Sequence, residues 1–453
     1  MESTVLKYRN RVVGVALLCA LATAASACAS SGSSQAPSSP QAAGSSGSCQ
    51  PQTGKVNITY WAWNTQFKPA VAEFNATHPN IHVTFDLVAE QDYQNLFNAL
   101  KAGNAPDLAQ VEYSELPAFR FQNGLTNIAS CAPVKDMSSQ FPAWTMSQVG
   151  VGTSAVYGVP QDIEPLGLYY REDIFKKYGL QVPTTWAQYQ ADALKLKSEN
   201  PAIKITSMTD GDEGILVGLD WQNGARPFQY SGSSFMFDMD SPQAAQVANY
   251  WQGLVKDGVI NTTAKPFTPA QYSAWDNGTV ATVVAPAFYG NVMVDDATAS
   301  KGDWRVAPLP QWQAGQDANG NDGGSSIAVM AGTKHEYADA VFAEWLGANQ
   351  QALETAFGGV ELAAASSYMN SSAIDTPSAY FGGQPYLQVF KAAAAGVNTN
   401  FQWAPNQFSV NLDLQDALAG AFNGTSSIES AFKSTQSQAA ASLRSSGVTV
   451  LTK

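Results

Sequence analysis

Residues 56–111 read VNITYWAWNTQFKPAVAEFNATHPNIHVTFDLVAEQDYQNLFNALKAGNAPDLAQV. Val56 to Trp61 is rich in β-branched and aromatic residues and predicts a strand. Phe67, Ala70, Val71 and Phe74 share one face of a helix over 67–76, which Pro79 ends. Ile81, Val83, Phe85 and Leu87 alternate with polar residues, the pattern of a half-buried strand. A second helix runs over 92–102, with Gly103 as its stop, and Asp107 to Val111 supplies a third strand. The order β-α-β-α-β joins strands through helical crossovers, so the expected class is α/β, a parallel sheet with helices on its faces.

The same alternation resumes downstream. A strand is expected at 166–170, helices at 171–178, 186–198 and 244–256, and a buried strand at 280–286. A turn-rich loop at 317–324 leads to a strand at 327–330 and a helix at 337–348. Beyond Pro385 the pattern is mostly helical, most clearly over 412–422 and 428–443, and no fixed-period repeat occurs.

Upstream, Lys7, Arg9 and Arg11 precede an apolar run of about 14 residues, shorter than the roughly 20 that span a bilayer. Small residues follow, so residues 1–27 read as an export signal peptide. The sequence Ala25-Ser26-Ala27-Cys28 resembles the lipobox of bacterial lipoproteins, which implies cleavage before Cys28 and lipidation of that residue. The usual Leu is replaced by Ala25, and ordinary secretion after an Ala-x-Ala site is the competing reading. Apart from Cys49, residues 29–52 are Ser, Gly, Ala, Pro and Gln with no charge, a composition that cannot offset its ordering entropy, so 28–53 reads as a tether. A body held on the outer side of a membrane by a lipid anchor follows.

About 425 residues remain after processing, enough for two domains of about 200 residues. The full chain carries a net charge of −13, and removal of the signal leaves about −15. An acidic chain without basic clusters excludes nucleic acid as a partner, because phosphates demand Lys and Arg. Cys49 and Cys131 are an even pair in an exported chain and are expected to form a disulfide, two free thiols being the alternative. The 11 tryptophans and 17 tyrosines are many for a chain with only 13% charged residues. Most fill cores, yet such a surplus also suits sugars, whose apolar C–H faces stack on rings.

Several motifs fall in a recognisable order. They are Ile58-Thr59-Tyr60-Trp61-Ala62-Trp63, Phe74 to Val83 (FNATHPNIHV), Lys101 to Leu108 (KAGNAPDL), Tyr157-Gly158-Val159-Pro160 with Leu168 to Phe175 (LYYREDIF), Pro183-Thr184-Thr185-Trp186, and Gly323 to Val329 (GGSSIAV). Across nearly the whole mature chain this order resembles the extracellular solute-binding proteins of bacterial ABC sugar importers, the maltose-binding-protein-like class. The resemblance implies a two-lobed periplasmic-binding-protein fold (type II-like), each lobe a mainly parallel sheet flanked by helices, with a ligand cleft between. It places three crossings near 162–164, near Gly323 and within 371–382. Lobe one is then 54–162 with 323–375, and lobe two is 163–322 with 376–453. The implied partners are a sugar ligand, probed by hinge closure, and the transmembrane permease subunits. A monomer without cofactor or metal is expected.

Open parallel sheets bind ligands beyond the C-terminal ends of their strands, and carboxylates are the strong acceptors for sugar hydroxyls. Trp63 and Asn64 end the first strand, where Trp63 either meets ligand or packs its own lobe. Glu90 follows the second strand, and Glu112 and Tyr113 the third, in a loop where the resemblance places ligand contacts. Asp162 and Glu164 sit at the first crossing and either reach ligand or solvate the hinge. Trp221 and Asn223 lie where the family often has a ligand-facing aromatic and an Asn-Gly turn, although Ala225 replaces the second Gly. Trp275 precedes the strand at 280–286, and Phe288 or Tyr289 stands where the family has Gly-x-Trp. Gly323, Gly324 and Ser325 offer backbone amides, and Trp403 caps the site or packs in the core.

Catalytic readings find little support. His78 and His82 are four apart, but Pro79 breaks the helix that would align them for a metal. No Gly-x-Ser-x-Gly elbow and no phosphate-cradling loop occurs. Asp317 to Asp322 begins like a calcium loop but has Asp322 in place of the required Gly and Ala328 in place of the closing Glu, so it reads as a surface turn. A glycosidase using Asp162 and Glu164, and a peptide- or polyamine-binding importer component, are the alternatives. The aromatics favour sugar.

Overall fold

The computed structural model describes residues 49–89, 92–231 and 234–451. The signal peptide, Cys28 and Glu90 lie outside the described residues. β1 (Val56–Ala62), α1 (Phe67–Thr77), β2 (Ile81–Leu87), α2 (Tyr93–Ala102) and β3 (Leu108–Glu112) follow the expected order. β1 buries Val56, Ile58, Tyr60 and Ala62 and pairs in parallel with β2 along its whole length and with β3 at Tyr60 and Trp61. α1 buries Phe67, Ala70, Val71 and Phe74, the stripe that its spacing dictates. α2 ends on Gly103, whose φ of 72° gives the left-handed turn that glycine takes without crowding.

The chain continues through α3 (Leu116–Phe121), α4 (Ala143–Val149) and β4 (Gly158–Pro160) into β5 (Leu166–Arg171) and α5 (Glu172–Tyr178). α6 (Trp186–Glu199) starts on a capping box in which Thr185 and Gln188 each satisfy the other's backbone N–H. β6 (Thr206–Ser207), α7 (Glu213–Gln222), β7 (Phe228–Ser231), β8 (Ser234–Phe237), α8 (Pro242–Lys256), β9 (Ile260–Asn261) and α9 (Pro269–Asp276) lead to β10 (Thr282–Pro286). Then come α10 (Tyr289–Asp296), β11 (Trp304–Pro308), β12 (Ser325–Val329), α11 (Glu336–Ala348), α12 (Gln350–Phe357) and α13 (Ser366–Met369). The end of the chain is α14 (Leu387–Ala395), α15 (Gln407–Phe422), α16 (Ile428–Ser445) and β13 (Thr449–Leu451). α15 begins five residues before the strongest apolar spacing, because Gln407 and Val410 already face the core.

Two sheets centre two lobes. The first has the order β2-β1-β3-β12-β4 and the second β10-β5-β11. The expectation of mainly parallel sheets needs correction. β12 runs antiparallel to β3 and β4, and β5 runs antiparallel to both β10 and β11. The reason lies in the connectivity. β5 and β12 are the strands entered directly from the junction between the sheets, so they run away from it, whereas β3, β4 and β10 run toward it.

The loop at 317–322 also differs from a surface turn, since Asn319 and Asn321 are buried. The Asn319 amide accepts from Leu166 N and donates to Leu166 O, and Asn321 accepts from Glu164 N and donates to Gly323 O. These asparagines complete backbone hydrogen bonding where the chain lacks a sheet partner.

Cys49 and Cys131 form the expected disulfide, with their Cα atoms 5.0 Å apart. Next to it, Gln52 bonds the Lys334 carbonyl at 3.0 Å and the His335 ring at 2.8 Å, so the start of the body is docked against the segment before α11. The crosslink closes a separation of 82 residues, and such links stabilise by roughly 2–4 kcal/mol. A soluble form beginning at Ala29 is expected to show no free thiol after denaturation, and Cys49→Ser with Cys131→Ser should melt several degrees lower. Two titratable thiols in the unreduced protein would refute the link.

Candidate functional site

The junction between the two sheets brings together the end of β3, the segment after β4, the start of β12 and the end of β10. Ser325 is the register partner of Glu112, and Ser326 of Pro160. Tyr113 donates its N–H to Gly324 O at 3.1 Å and its hydroxyl to Asp162 O at 3.0 Å, so this buried ring clamps the loop after β3 onto the junction. Gly324 must be glycine here. Its φ is +84°, and a Cβ would lie 3.0 Å from both Asp162 O and the Tyr113 ring.

Asp162 accepts the Ser325 N–H at 2.8 Å and also the Ser325 hydroxyl. Glu164 accepts the Phe288 N–H at 2.8 Å, which ties the first crossing to the loop after β10. Glu361 accepts from Gln66, just after β1, at 2.7 Å and from Asn291 on α10 at 3.4 Å. One carboxylate thus bridges groups from both lobes.

These acids are electrostatically coupled. Burial raises Asp322 to about 7, with repulsion from Glu213, Glu112 and Asp212 adding to it. Burial likewise raises Glu361 to about 7, against the Gln66 hydrogen bond and with the Asp162 charge. Asp212 and Glu213, at the N-terminus of α7, are each raised to about 7 mainly by burial. Glu164 is pushed well above the usual carboxylate range by burial and by Asp162, Glu361 and Asp322. Asp162 is raised by burial despite its bonds from Ser325. Among the described residues no three carboxylate, imidazole or thiol groups are placed to hold a metal ion. What the surface can do is exchange hydrogen bonds with a ligand rich in hydroxyls, ionised carboxylates accepting and protonated ones donating, beside the partly buried ring of Phe288, which lies 5.0 Å from the buried ring of Tyr289.

The sequence-expected residues divide into three groups. Glu112, Tyr113, Asp162, Glu164, Gly324 and Ser325 come together at the junction, with Tyr289 at the head of α10. Tyr289 is buried, and the Asp212, Asp322 and Glu213 charges act on it. Trp63 and Asn64 stay at the end of β1. Trp63 is partly buried edge-on against Tyr93 at 6.4 Å, and Asn64 accepts the Gln66 N–H in a local turn. The rest lie elsewhere. Trp221 is 1% exposed, stacks on Phe401 at 4.1 Å, meets Trp144 edge-on and donates its indole N–H to Asn398 O, so it offers no free face in this conformation. Trp403 is buried in the same aromatic cluster. Trp275 lies on the buried face of α9, and its carbonyl accepts from Arg171. Asn223 caps α7 and bonds Gln243 and Gln246 on α8. In this conformation these three tryptophan rings are covered by neighbouring side chains, as large aromatic side chains commonly are.

Sequence reasoning did not single out Asp212, Glu213, Asp322 or Glu361 as site residues. The first two stand in the acidic run Thr209-Asp210-Gly211-Asp212-Glu213-Gly214, a visible signal. Asp322 was masked by the failed calcium-loop pattern, and Glu361 follows Gly358-Gly359 without any local mark.

The raised acids set a pH dependence. Asp212, Glu213, Asp322 and Glu361 ionise near their ordinary values of 3.8 and 4.5 when unfolded and near 7 when folded. Between these values the folded chain holds protons that the unfolded chain has released, so stability falls as pH rises from about 4 to about 7. Thermal melting should therefore be higher at pH 5.5 than at pH 7.5, and Asp322→Asn, which removes one charge at constant shape, should flatten the fall. A melting temperature that rises over this window contradicts the assignment.

The chain matches the model of the bacterial extracellular solute-binding protein family over residues 61–353. It is 24% identical over 307 residues to the arabinooligosaccharide-binding protein of Halalkalibacterium halodurans, a match spanning 62% of this chain and 65% of that relative. It is 25% identical over 359 residues to the lactose-binding protein of Rhizobium radiobacter, spanning 74% of this chain and 81% of that one. Among solved structures, it resembles the galacto-N-biose/lacto-N-biose I-binding protein of an ABC transporter from Bifidobacterium longum, in complex with lacto-N-biose. There the TM-score is 0.78 and the identity 25%, covering 88% of this chain and 100% of that one. The ABC transporter associated binding protein of B. animalis subsp. lactis, in complex with β-1,6-galactobiose, gives a TM-score of 0.73 at 25% identity over the same shares. With the family model matched over more than half its length, and with the two-lobed fold in place, the chain belongs to the bacterial extracellular solute-binding proteins.

Proposed function

We propose that this chain is the carbohydrate-binding component of a bacterial ABC importer. It takes an oligosaccharide between its lobes, closes on it, and delivers it to the transmembrane permease subunits without altering it. The observation that carries this reading is the junction itself, where Glu112, Asp162, Glu164, Asp322 and Glu361 stand near the partly buried ring of Phe288 with Tyr289 behind it, hydrogen-bonding groups beside an aromatic ring. The similarity to proteins named for arabinooligosaccharide and lactose binding supports the ligand class. The lobes are 54–162 with 323–375, and 163–322 with 376–453. In support of the first two crossings, Asp322 N donates to Glu164 O, and both passes run beside 361–364 between the sheets, with Ile163 N donating to Leu362 O and Ala364 N to Gln161 O. That arrangement suits a hinge.

The chain acts outside the cell as a monomer, held at the membrane by lipid on Cys28. The family's extracellular character and the basic-apolar-small order before Cys28 support this. Mass spectrometry of the native protein should find an acylated cysteine at position 28, and Cys28→Ser should release the protein. A Cys28→Ser protein still bound to membrane would remove the anchor from the reading.

Binding should be measurable by calorimetry with a panel of lactose, lacto-N-biose, β-1,6-galactobiose, arabinotriose and maltotriose. Glu112→Ala is expected to weaken the best-bound sugar by about 1–3 kcal/mol, the loss of charge-assisted hydrogen bonds. Trp221→Ala, in contrast, should lower the melting temperature, because its ring is core. Release of reducing ends from the bound sugar would overturn the binding-protein reading in favour of an enzyme.

A further inference from the structure

Phe267 lies in the loop between β9 and α9 with φ at +56°. In this left-handed region the Cβ of an L-residue crowds the following carbonyl, and a bulky residue found there is an outlier. The surrounding structure holds it in place. The buried Gln271 side chain accepts the Phe267 N–H at 2.9 Å. The Thr268 hydroxyl, the N-cap of α9, donates to Lys265 O at 2.7 Å, and Lys265 pairs with Asp210 at 2.8 Å.

The ring so fixed is only partly buried, Phe267 being 44% exposed. It lies 6.3 Å from the Phe288 ring with 24° between the planes, and 5.4 Å from Tyr289. Phe288 is the residue whose N–H Glu164 holds, and its ring borders Gly323. Pro266, one residue before Phe267, packs beside Gly211 in the acidic run that ends in Asp212 and Glu213. Phe267 is therefore the exposed end of an aromatic row whose other members are Phe288 and Tyr289, set next to the junction carboxylates. A glycine at 267 would relieve the backbone crowding and remove the exposed apolar surface but lose the contacts with Phe288 and Tyr289, so the opposing effects leave folding little preference for phenylalanine. Strain kept at an exposed residue beside a ligand cleft points to recognition.

We propose that Phe267 is a sugar-stacking residue of the cleft: its exposed ring takes the apolar C–H face of one sugar unit, while the hydroxyls of that unit reach the neighbouring carboxylates. This rests on the oligosaccharide-binding reading. It adds a ring contributed by the second lobe that no motif marks.

The test sets binding against stability. Wild type, Phe267→Gly and Phe267→Trp are each titrated calorimetrically with the five sugars above and melted without ligand. Phe267→Gly is expected to melt at the same or a higher temperature, yet to bind the best sugar about three- to ten-fold more weakly, the scale of one aromatic contact. Phe267→Trp, which keeps a ring, should bind within about three-fold of wild type. Wild-type affinity in Phe267→Gly overturns the proposal while leaving the binding function intact. A lower melting temperature in Phe267→Gly makes the residue structural and overturns it as well. A wild-type protein that binds none of the five sugars overturns the oligosaccharide reading and this proposal with it.

Discussion

The bond from Ser325 to Asp162 governs this structure. Through it the first residue of β12 is fixed to the second residue after β4, and both Ser325 donors end on one carboxylate. Around that contact three extended passes of chain lie together: 161–165, 319–325 and 361–364. Backbone bonds and two buried asparagines join them. No helix stiffens this region, so its geometry depends on hydrogen bonds that are individually modest and jointly specific. The sheets on either side inherit their strand directions from it, since β5 and β12 leave the junction and the other strands arrive there.

The same junction concentrates acids at a cost to the folded state. Glu164 accepts one backbone N–H, and Glu361 takes bonds from two amide side chains, but burial still raises both. An apolar junction of similar shape would avoid the desolvation penalty. On the proposed function, the acids provide polar groups already oriented before a ligand arrives, so little reorganisation remains on binding.

Much of the architecture was legible because it is written in local periodicity. The stripe Phe67, Ala70, Val71, Phe74 and the alternation Ile81, Val83, Phe85, Leu87 each specify an element without help from distant residues. Strand direction was not legible in that way. β5 reads as well parallel as antiparallel, and only its entry from the junction decides. The site was half legible for the same reason. Glu112 ends and Asp162 follows strands that can be recognised locally, whereas Glu361 reaches the junction only because Leu362 and Ala364 are laid beside Gln161 and Ile163. Trp221, Trp275 and Trp403 show the converse. A tryptophan carries the same letter whether its face is open or covered, and here Phe401 covers one of them.

The disulfide has a consequence for where a pull on the start of the body is carried. Cys131 belongs to the chain between β3 and β4, on the side of the first sheet, and Cys49 is bonded to it. Tension applied at Cys49 is therefore taken up at Cys131 as well as along the chain into β1. That makes the two lobes mechanically unequal: the one carrying Cys131 bears the load, and the other is free of it.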